Sequence, residues 1–399
     1  MISFGNYWRE LRGYSRALQL FFISDIMLAF TVSTIGLLYN LHLLALGYTA
    51  DDIGILSAAA AAAQAILAVP LGFLADRIGR QRVYAGGGWV YALAFLGAIW
   101  TRSFPLLVAY NAVMQVGFIA LLVGEQPILA GEVPAGRNAM LLSIMFINFF
   151  AWNTLGTLLA GYLPEWLPYG PYTHYQTALT IAAAWALLSA VVRSFMRPQA
   201  GGRVSGRLRL VPSRRVLQWG LVTLFSIAPI TLLQQFGNVI LDQRYHLDSG
   251  RIGLLVTAGM IVSVVAAWFA PSIAERWGQR PTLLALSFAM ALVMAVGGAL
   301  SALPWFILVF LARTAVTMVR NPVGGAFSME STPPADRTAM TSFNQVGAAL
   351  GAALAARVFG ALLAGEHYAL PFFLAAAAAL VAAGAFYLFF GARDRERGA

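Results

Sequence analysis

The chain has no cysteine and no lysine, so all 26 of its basic side chains are arginine. Without cysteine there can be no disulfide, no thiolate metal site and no cysteine nucleophile. The four histidines are scattered and show no metal-ligand spacing. No Walker-type phosphate loop and no nucleophile elbow occur. No polar stretch is long enough to fold into an ATP-binding domain. Charge is scarce as well, at 11% of 399 residues, where soluble proteins carry about 25%. These absences exclude a metalloenzyme, a thiol enzyme and an ATP-driven machine, so any work the protein does must draw on a gradient.

Apolar residues make up 60% of the chain. A water-soluble fold could not hide that much apolar surface, and the bilayer is its natural solvent. Runs long enough to cross recur at 17–46, 53–74, 82–100, 105–131, 138–163, 174–196, 215–241, 252–273, 280–300, 304–330, 337–363 and 370–391. Several exceed the roughly 20 residues a crossing needs, which implies tilt or protrusion. The expectation is an all-α membrane protein of twelve transmembrane helices. The first residues hold Phe4, Tyr7, Trp8, Arg9 and Arg12 ahead of a span too long for a signal peptide, and read as an interfacial lead-in with aromatic anchors.

The net charge of +10 could suggest nucleic-acid binding, but no soluble basic domain remains once the spans are removed. The arginines sort by side instead. With the N-terminus inside, twenty fall on the cytoplasmic side, Arg193 and Arg197 among them. Arg102, Arg244 and Arg251 fall outside, and Arg313, Arg320 and Arg357 fall within spans. That bias follows the positive-inside rule and requires an even number of spans. Both termini are expected in the cytoplasm, with the protein in a bacterial inner membrane as a monomer.

The longest break, from Met196 to Ser213, is rich in Gly, Pro, Ser and Arg and has no acid. It reads as a flexible basic linker over 197–214 between six-helix halves at 1–196 and 215–399. The halves repeat at an offset of about 199. Leu74-Ala-Asp-Arg-Ile-Gly-Arg-Gln-Arg82 answers Ile273-Ala-Glu-Arg-Trp-Gly-Gln-Arg-Pro281. Pro134-Ala-Gly-Arg-Asn-Ala-Met140 answers Pro334-Ala-Asp-Arg-Thr-Ala-Met340, and Ile53-Gly54 answers Ile252-Gly253. Three matches in one register point to duplication. Two parallel repeats of this kind are one known transporter architecture, with the substrate site at their interface.

The stretch Gly72-Phe-Leu-Ala-Asp-Arg-Ile-Gly-Arg-Gln-Arg82 resembles the signature of the major facilitator superfamily between its second and third helices. A degenerate second copy, Ala274 to Arg280, lies between the eighth and ninth. The resemblance covers the whole chain and implies a secondary transporter that works by alternating access. It also implies a cytoplasmic gate motif of Gly72, Asp76, Arg77, Gly79 and Arg80, joined by Arg137, Glu275, Arg276 and Arg337. Read physically, Gly79 allows a tight turn, Asp76 can cap a helix or pair with an arginine, and the arginines hold the loop at anionic headgroups. Two features depart from the drug exporters of that superfamily. Asn111 stands early in the fourth span where they carry arginine, and the fifth reads Gly156-Thr-Leu-Leu-Ala-Gly161 without their Gly-Pro pair.

The resemblance places the substrate cavity on the first, fourth, seventh and tenth spans. Each carries a polar stripe. Asp25 lies about 12 Å inside the first span at 1.5 Å per residue, on one face with Asn40, and His42 lies near its outer end. The fourth span carries Asn111, Gln115 and Glu125. The seventh carries Gln234, Gln235 and Asn238, and the tenth carries Arg313, Thr317, Arg320 and Asn321. An ionisable group at membrane depth is a functional candidate by default. Asp25, Glu125 and Arg320 read as a proton-coupling cluster, because burial favours the neutral carboxyl and a nearby arginine the charged one. The alternative is a static bridge that locks packing. Gly124 and Pro127 suggest irregular backbone beside Glu125. His42 reads as lining the external vestibule, and Arg357 has no evident role.

The leading expectation is proton-coupled export of amphipathic organic molecules, because the cavity helices are rich in Phe, Met and Leu. The runner-up is transport of an organic anion held by Arg313 and Arg320, since guanidinium grips carboxylate or phosphate bidentately. A lipid scramblase or a transport-dead sensor is a third reading. No cofactor and no nucleic-acid partner are expected, and sodium stands as the alternative coupling ion.

Overall fold

The computed structural model describes residues 15–130, 132, 138–197, 213–333 and 336–390. Most of the expected linker therefore lies outside the described residues. Thirteen helices are described: α1 (Arg16–Ala45), α2 (Ala50–Ile78), α3 (Arg80–Trp100), α4 (Phe104–Ala130), α5 (Asn138–Trp166), α6 (Gln176–Ser194), α7 (Arg214–Ser226), α8 (Ala228–Gln243), α9 (Ser249–Trp277), α10 (Gln279–Ala299), α11 (Leu303–Glu330), α12 (Arg337–Ala364) and α13 (Leu370–Phe390). Helices α7 and α8 together make one crossing, so twelve segments are long and apolar enough to span a membrane.

The seventh span, expected as one helix, is broken at Ile227. Pro229 sits at the start of α8. Without an N–H it cannot donate to the carbonyl four residues back, in the last turn of α7. Proline alone does not decide the matter: Pro70, Pro164, Pro271 and Pro322 lie inside continuous helices.

The repeat is visible in the backbone. Helix α2 begins with a reciprocal cap: the Thr49 N–H donates to Asp52 at 2.8 Å and the Asp52 N–H to Thr49 Oγ1 at 3.3 Å. Helix α9 begins with Asp248 accepting from the Arg251 N–H at 2.8 Å. Both helices end at a glycine in the left-handed region, Gly79 (φ 102°) and Gly278 (φ 79°). The paired positions share the sequence offset, and each glycine supplies a φ that a side chain would resist.

The chain divides into two compact units, Met1–His42 with Ile66–Ser205, and Leu43–Ala65 with Gly206–Ala399. In the first, α3 packs on α4 and α6. Close approach is set by small residues: a Cβ on Gly87 would stand 2.9 Å from the Gly117 carbonyl, and one on Gly117 2.5 Å from the Tyr91 nitrogen. In the second unit, α12 packs on α7 and α10 on α13. A Cβ on Gly347 would stand 2.5 Å from the Gly220 carbonyl, and one on Gly351 2.2 Å from that of Leu224. Glycines four apart let helix backbones meet, as membrane interfaces favour. Large apolar side chains meanwhile point outward, such as Ile261, Val264, Val265 and Trp268 on α9. An outer surface of that kind belongs against lipid.

Candidate functional site

The first unit carries a buried charged cluster. Asp25 on α1 is 3% exposed, and Asn148 on α5 donates to its Oδ2 at 2.8 Å. Glu125 on α4 is half-buried and lies within electrostatic range of Asp25. Arg193 lies within electrostatic range of both carboxylates, with no direct ion pair to either among the described residues. Sequence reasoning counted Arg193 with the cytoplasmic-side arginines because it ends a span beside the basic linker. In the structure it is only 1% exposed. Its Nε donates to Ser24 Oγ at 3.3 Å, and its Cζ lies 4.9 Å from the centre of the Tyr84 ring. Gln81 fixes the end of α6 by donating to the Arg193 and Met196 carbonyls at 2.9 and 3.1 Å.

Within the first unit, Arg193 is therefore the guanidinium in electrostatic range of Asp25 and Glu125, while Arg320, expected beside them, belongs to the second unit. The irregular backbone expected beside Glu125 is also absent among the described residues. Helix α4 runs unbroken through Gly124, whose missing side chain makes room for Tyr84. A Cβ there would stand 2.7 Å from the Tyr84 Cβ.

The other first-unit candidates differ in character. Asn111 is buried and donates to Tyr39 Oη and to the Leu107 carbonyl, both at 2.8 Å. Asn40 and Gln115 are half-buried. His42, expected to line a vestibule, is instead fully enclosed, with Nδ1 2.6 Å from Thr173 Oγ1. That pairing uses one ring nitrogen and leaves Nε2 buried without a hydrogen-bond partner among the described residues.

In the second unit the polar groups of the tenth span separate. Arg313 is 7% exposed, sits over the Phe310 ring at 5.8 Å, and has no partner for its Nε among the described residues. Seven residues on, Arg320 Nη2 donates to Ser226 Oγ at 2.7 Å, at the break between α7 and α8. No carboxylate pairs with either guanidinium among the described residues. Arg320 lines a void of about 260 Å³ together with Trp219, Thr223, Ser226, Asn321 and Asn344. Arg313 does not line it. Thr317 is buried and donates to the Arg313 carbonyl at 2.8 Å. Asn238 is buried, with its Oδ1 accepting from the Val239 N–H at 3.0 Å, and Gln234 is exposed. Arg357 pairs with Asp51, a contact within the second unit because Leu43–Ala65 belongs to it. Sequence reasoning passed over Ser226, Thr223 and Asn344, whose small polar side chains do not stand out in apolar runs.

The gate-motif residues lie at helix ends. Asp76 pairs with Arg80 one turn on, 3.0 Å apart. Arg77, Glu275 and Arg276 are exposed, and Gly72 has open space where a side chain would be. Arg137 lies outside the described residues, as does the side chain of Arg337.

With this geometry in place, comparison with known proteins is informative. The family description that matches is the Major Facilitator Superfamily, over residues 21–238 and 216–399. No curated protein sequence matches significantly. Solved structures match in fold. A nucleoside transporter, NupG, in a mutant form aligns with TM-score 0.78 and 15% identity over 94% of this chain and 100% of its own. A bacterial homologue of the lysosomal transporter Spinster, inward-facing and occupied, aligns at 0.77 and 12%, over 94% and 96%. A bacterial homologue of the iron transporter ferroportin, inward-facing, aligns at 0.73 and 15%, over 95% and 99%.

Proposed function

The chain belongs to the major facilitator superfamily, and from that premise we propose a proton-coupled secondary transporter in which Asp25 and Glu125 carry the proton. It is a membrane transporter and not an enzyme. The three structural relatives are named for different cargo and share only 12–15% identity with this chain, and a fold at that distance does not fix the substrate.

The observation that carries the reading is the charge count of the first-unit cluster. Two carboxylates lie within electrostatic range of one guanidinium. A static bridge would need one acid for Arg193. The second acid is surplus, and a surplus carboxylate in a low-dielectric setting is stable only if it can take up a proton. Small movements that alter its distance from Arg193 would load or release that proton, which is the chemistry that coupling requires. Alternating access then links proton and cargo movement. The arginine distribution supports cytoplasmic termini and a place in a bacterial inner membrane.

Proteoliposomes test this. A panel of lipophilic cations, neutral amphiphiles and organic anions is screened for compounds that the wild-type protein accumulates under a pH gradient. Glu125→Gln is expected to lose that accumulation while keeping counterflow exchange of the same compound. Undiminished accumulation in both Asp25→Asn and Glu125→Gln would remove the coupling role. Export of amphipathic molecules is favoured by the apolar part of the second-unit void, where Trp219, Ile227, Ile230 and Ala348 form one wall.

A further inference from the structure

We propose that the void beside Arg320 is a binding subsite for the anionic group of an amphipathic organic substrate, with Arg320, and not Arg313, as its charged anchor. The inference rests on the transporter reading and deepens it by naming the substrate class.

The first argument is charge. Arg320 sits in a spanning helix without a carboxylate partner among the described residues. Every lining group of the void is neutral except Arg320 itself. A guanidinium has five N–H donors, and one of its nitrogens is committed to Ser226 Oγ at 2.7 Å. Ser226 Oγ in turn donates to the Val222 carbonyl at 2.6 Å. The serine therefore orients the guanidinium and leaves its other donors unspent. A planar fork of this kind matches carboxylate or phosphate oxygens bidentately.

The second argument is the polarity of the opposite wall. Thr223 Oγ1 donates to Asn344 Oδ1 at 2.6 Å. That bond consumes the amide oxygen and leaves the Asn344 Nδ2 hydrogens as donors. Donors thus come from α11 and α12, and no acid opposes them. The third argument is shape. A void of about 260 Å³ lies just below the usual range for small-molecule pockets. Trp219, Ile227 and Ile230 supply an apolar surface beside the charge. That combination fits a small molecule with an apolar body and one negative end. The negative group could be borne by a soluble anion or by a lipid headgroup, which share this chemistry.

Binding is read by calorimetry on the purified full chain in detergent, without transport. The probes are benzoate and phenyl phosphate as soluble anions, lysophosphatidate as a lipid-borne phosphate, and benzyl alcohol as the neutral isostere. At least one anion is expected to bind ten-fold or more tighter than benzyl alcohol, whichever source it represents. Lysophosphatidate alone would identify a headgroup, and the soluble anions a free substrate. Arg320→Gln is expected to weaken that anion ten-fold or more, Arg320→Lys less, and Arg313→Gln little. Asp51→Asn, outside both sites, is expected to bind it as wild type does; because binding is read without a gradient, a failure of the coupling reading leaves this result standing, and the reverse. Equal binding of benzyl alcohol, an Arg320→Gln variant that binds anions unchanged, or no anion bound at all would overturn the proposal. If Arg320→Gln does not fold, the wild-type comparison of phenyl phosphate with benzyl alcohol still decides, and Asn344→Leu provides the second variant.

Discussion

Replacing Arg193 by methionine should unbalance the first unit more than any other single change. Methionine keeps much of the apolar stem, so no large cavity opens. The guanidinium over the Tyr84 ring is removed, however, and with it the hydrogen bond to Ser24 and the cation that acts on Asp25 and Glu125. Breaking a direct buried pair costs about 3–5 kcal/mol, and removing a cation that acts on two buried carboxylates without touching them should cost up to that amount. For a cooperative unit of this size that corresponds to a fall in melting temperature on the order of 10 °C. The assay is thermal unfolding in detergent at pH 5 and pH 8. The loss should be larger at pH 8 than at pH 5, because acid supplies protons that can neutralise stranded carboxylates. Adding Asp25→Asn and Glu125→Gln to Arg193→Met should recover most of the loss. Wild-type stability in Arg193→Met at pH 8, or no recovery in the triple variant, would refute the claim that these three groups form one electrostatic unit.

Other outcomes follow from the packing. Gly351→Val should cost about 1–3 kcal/mol by overpacking, because a Cβ there would stand 2.2 Å from the Leu224 carbonyl; thermal unfolding checks this against Gly72→Ala, which has open space and should melt as wild type does. Thr173→Val removes the hydroxyl that pairs with buried His42 and should cost about 1–3 kcal/mol, read by thermal unfolding. Asp51→Asn breaks a partly exposed pair with Arg357 and should cost no more than about 1 kcal/mol. That difference should vanish when unfolding is repeated at high salt.

The spans were legible because a run of apolar residues carries the same information in sequence and in space. Asp25 was legible for the converse reason, as a lone acid in such a run. The repeat was legible in Gly79 and Gly278, since a left-handed turn constrains the residue type. Arg193 was not, because it stands where an apolar span meets a basic stretch, and charge statistics assign such an arginine to the surface. Its burial comes from Ser24, Tyr84 and Gln81, which are distant in sequence. The enclosure of His42 was hidden for a related reason: a histidine near a span end looks exposed until Thr173 is brought to it. Arg193 was hidden for one more reason: span order does not tell which guanidinium stands near Asp25 and Glu125 within their own unit, and Arg320 lies in the other. The break at Ile227 needed Pro229 to act where four other prolines in spanning helices did not.

The two guanidiniums of α11 also bear on how the protein is made. During membrane insertion a central arginine costs about 2.5–3.5 kcal/mol, against about 0.3–0.6 gained by each Leu, Ile, Phe or Val. Two arginines therefore offset most or all of the apolar residues between Leu303 and Arg320. On its own, this segment has little reason to leave the translocon for lipid. It would enter in company, sheltered by spans already synthesised, with Ser226 of the broken seventh span ready to receive Arg320. The feature that would attract an anion in the mature protein would thus make α11 the segment most dependent on its neighbours at biosynthesis.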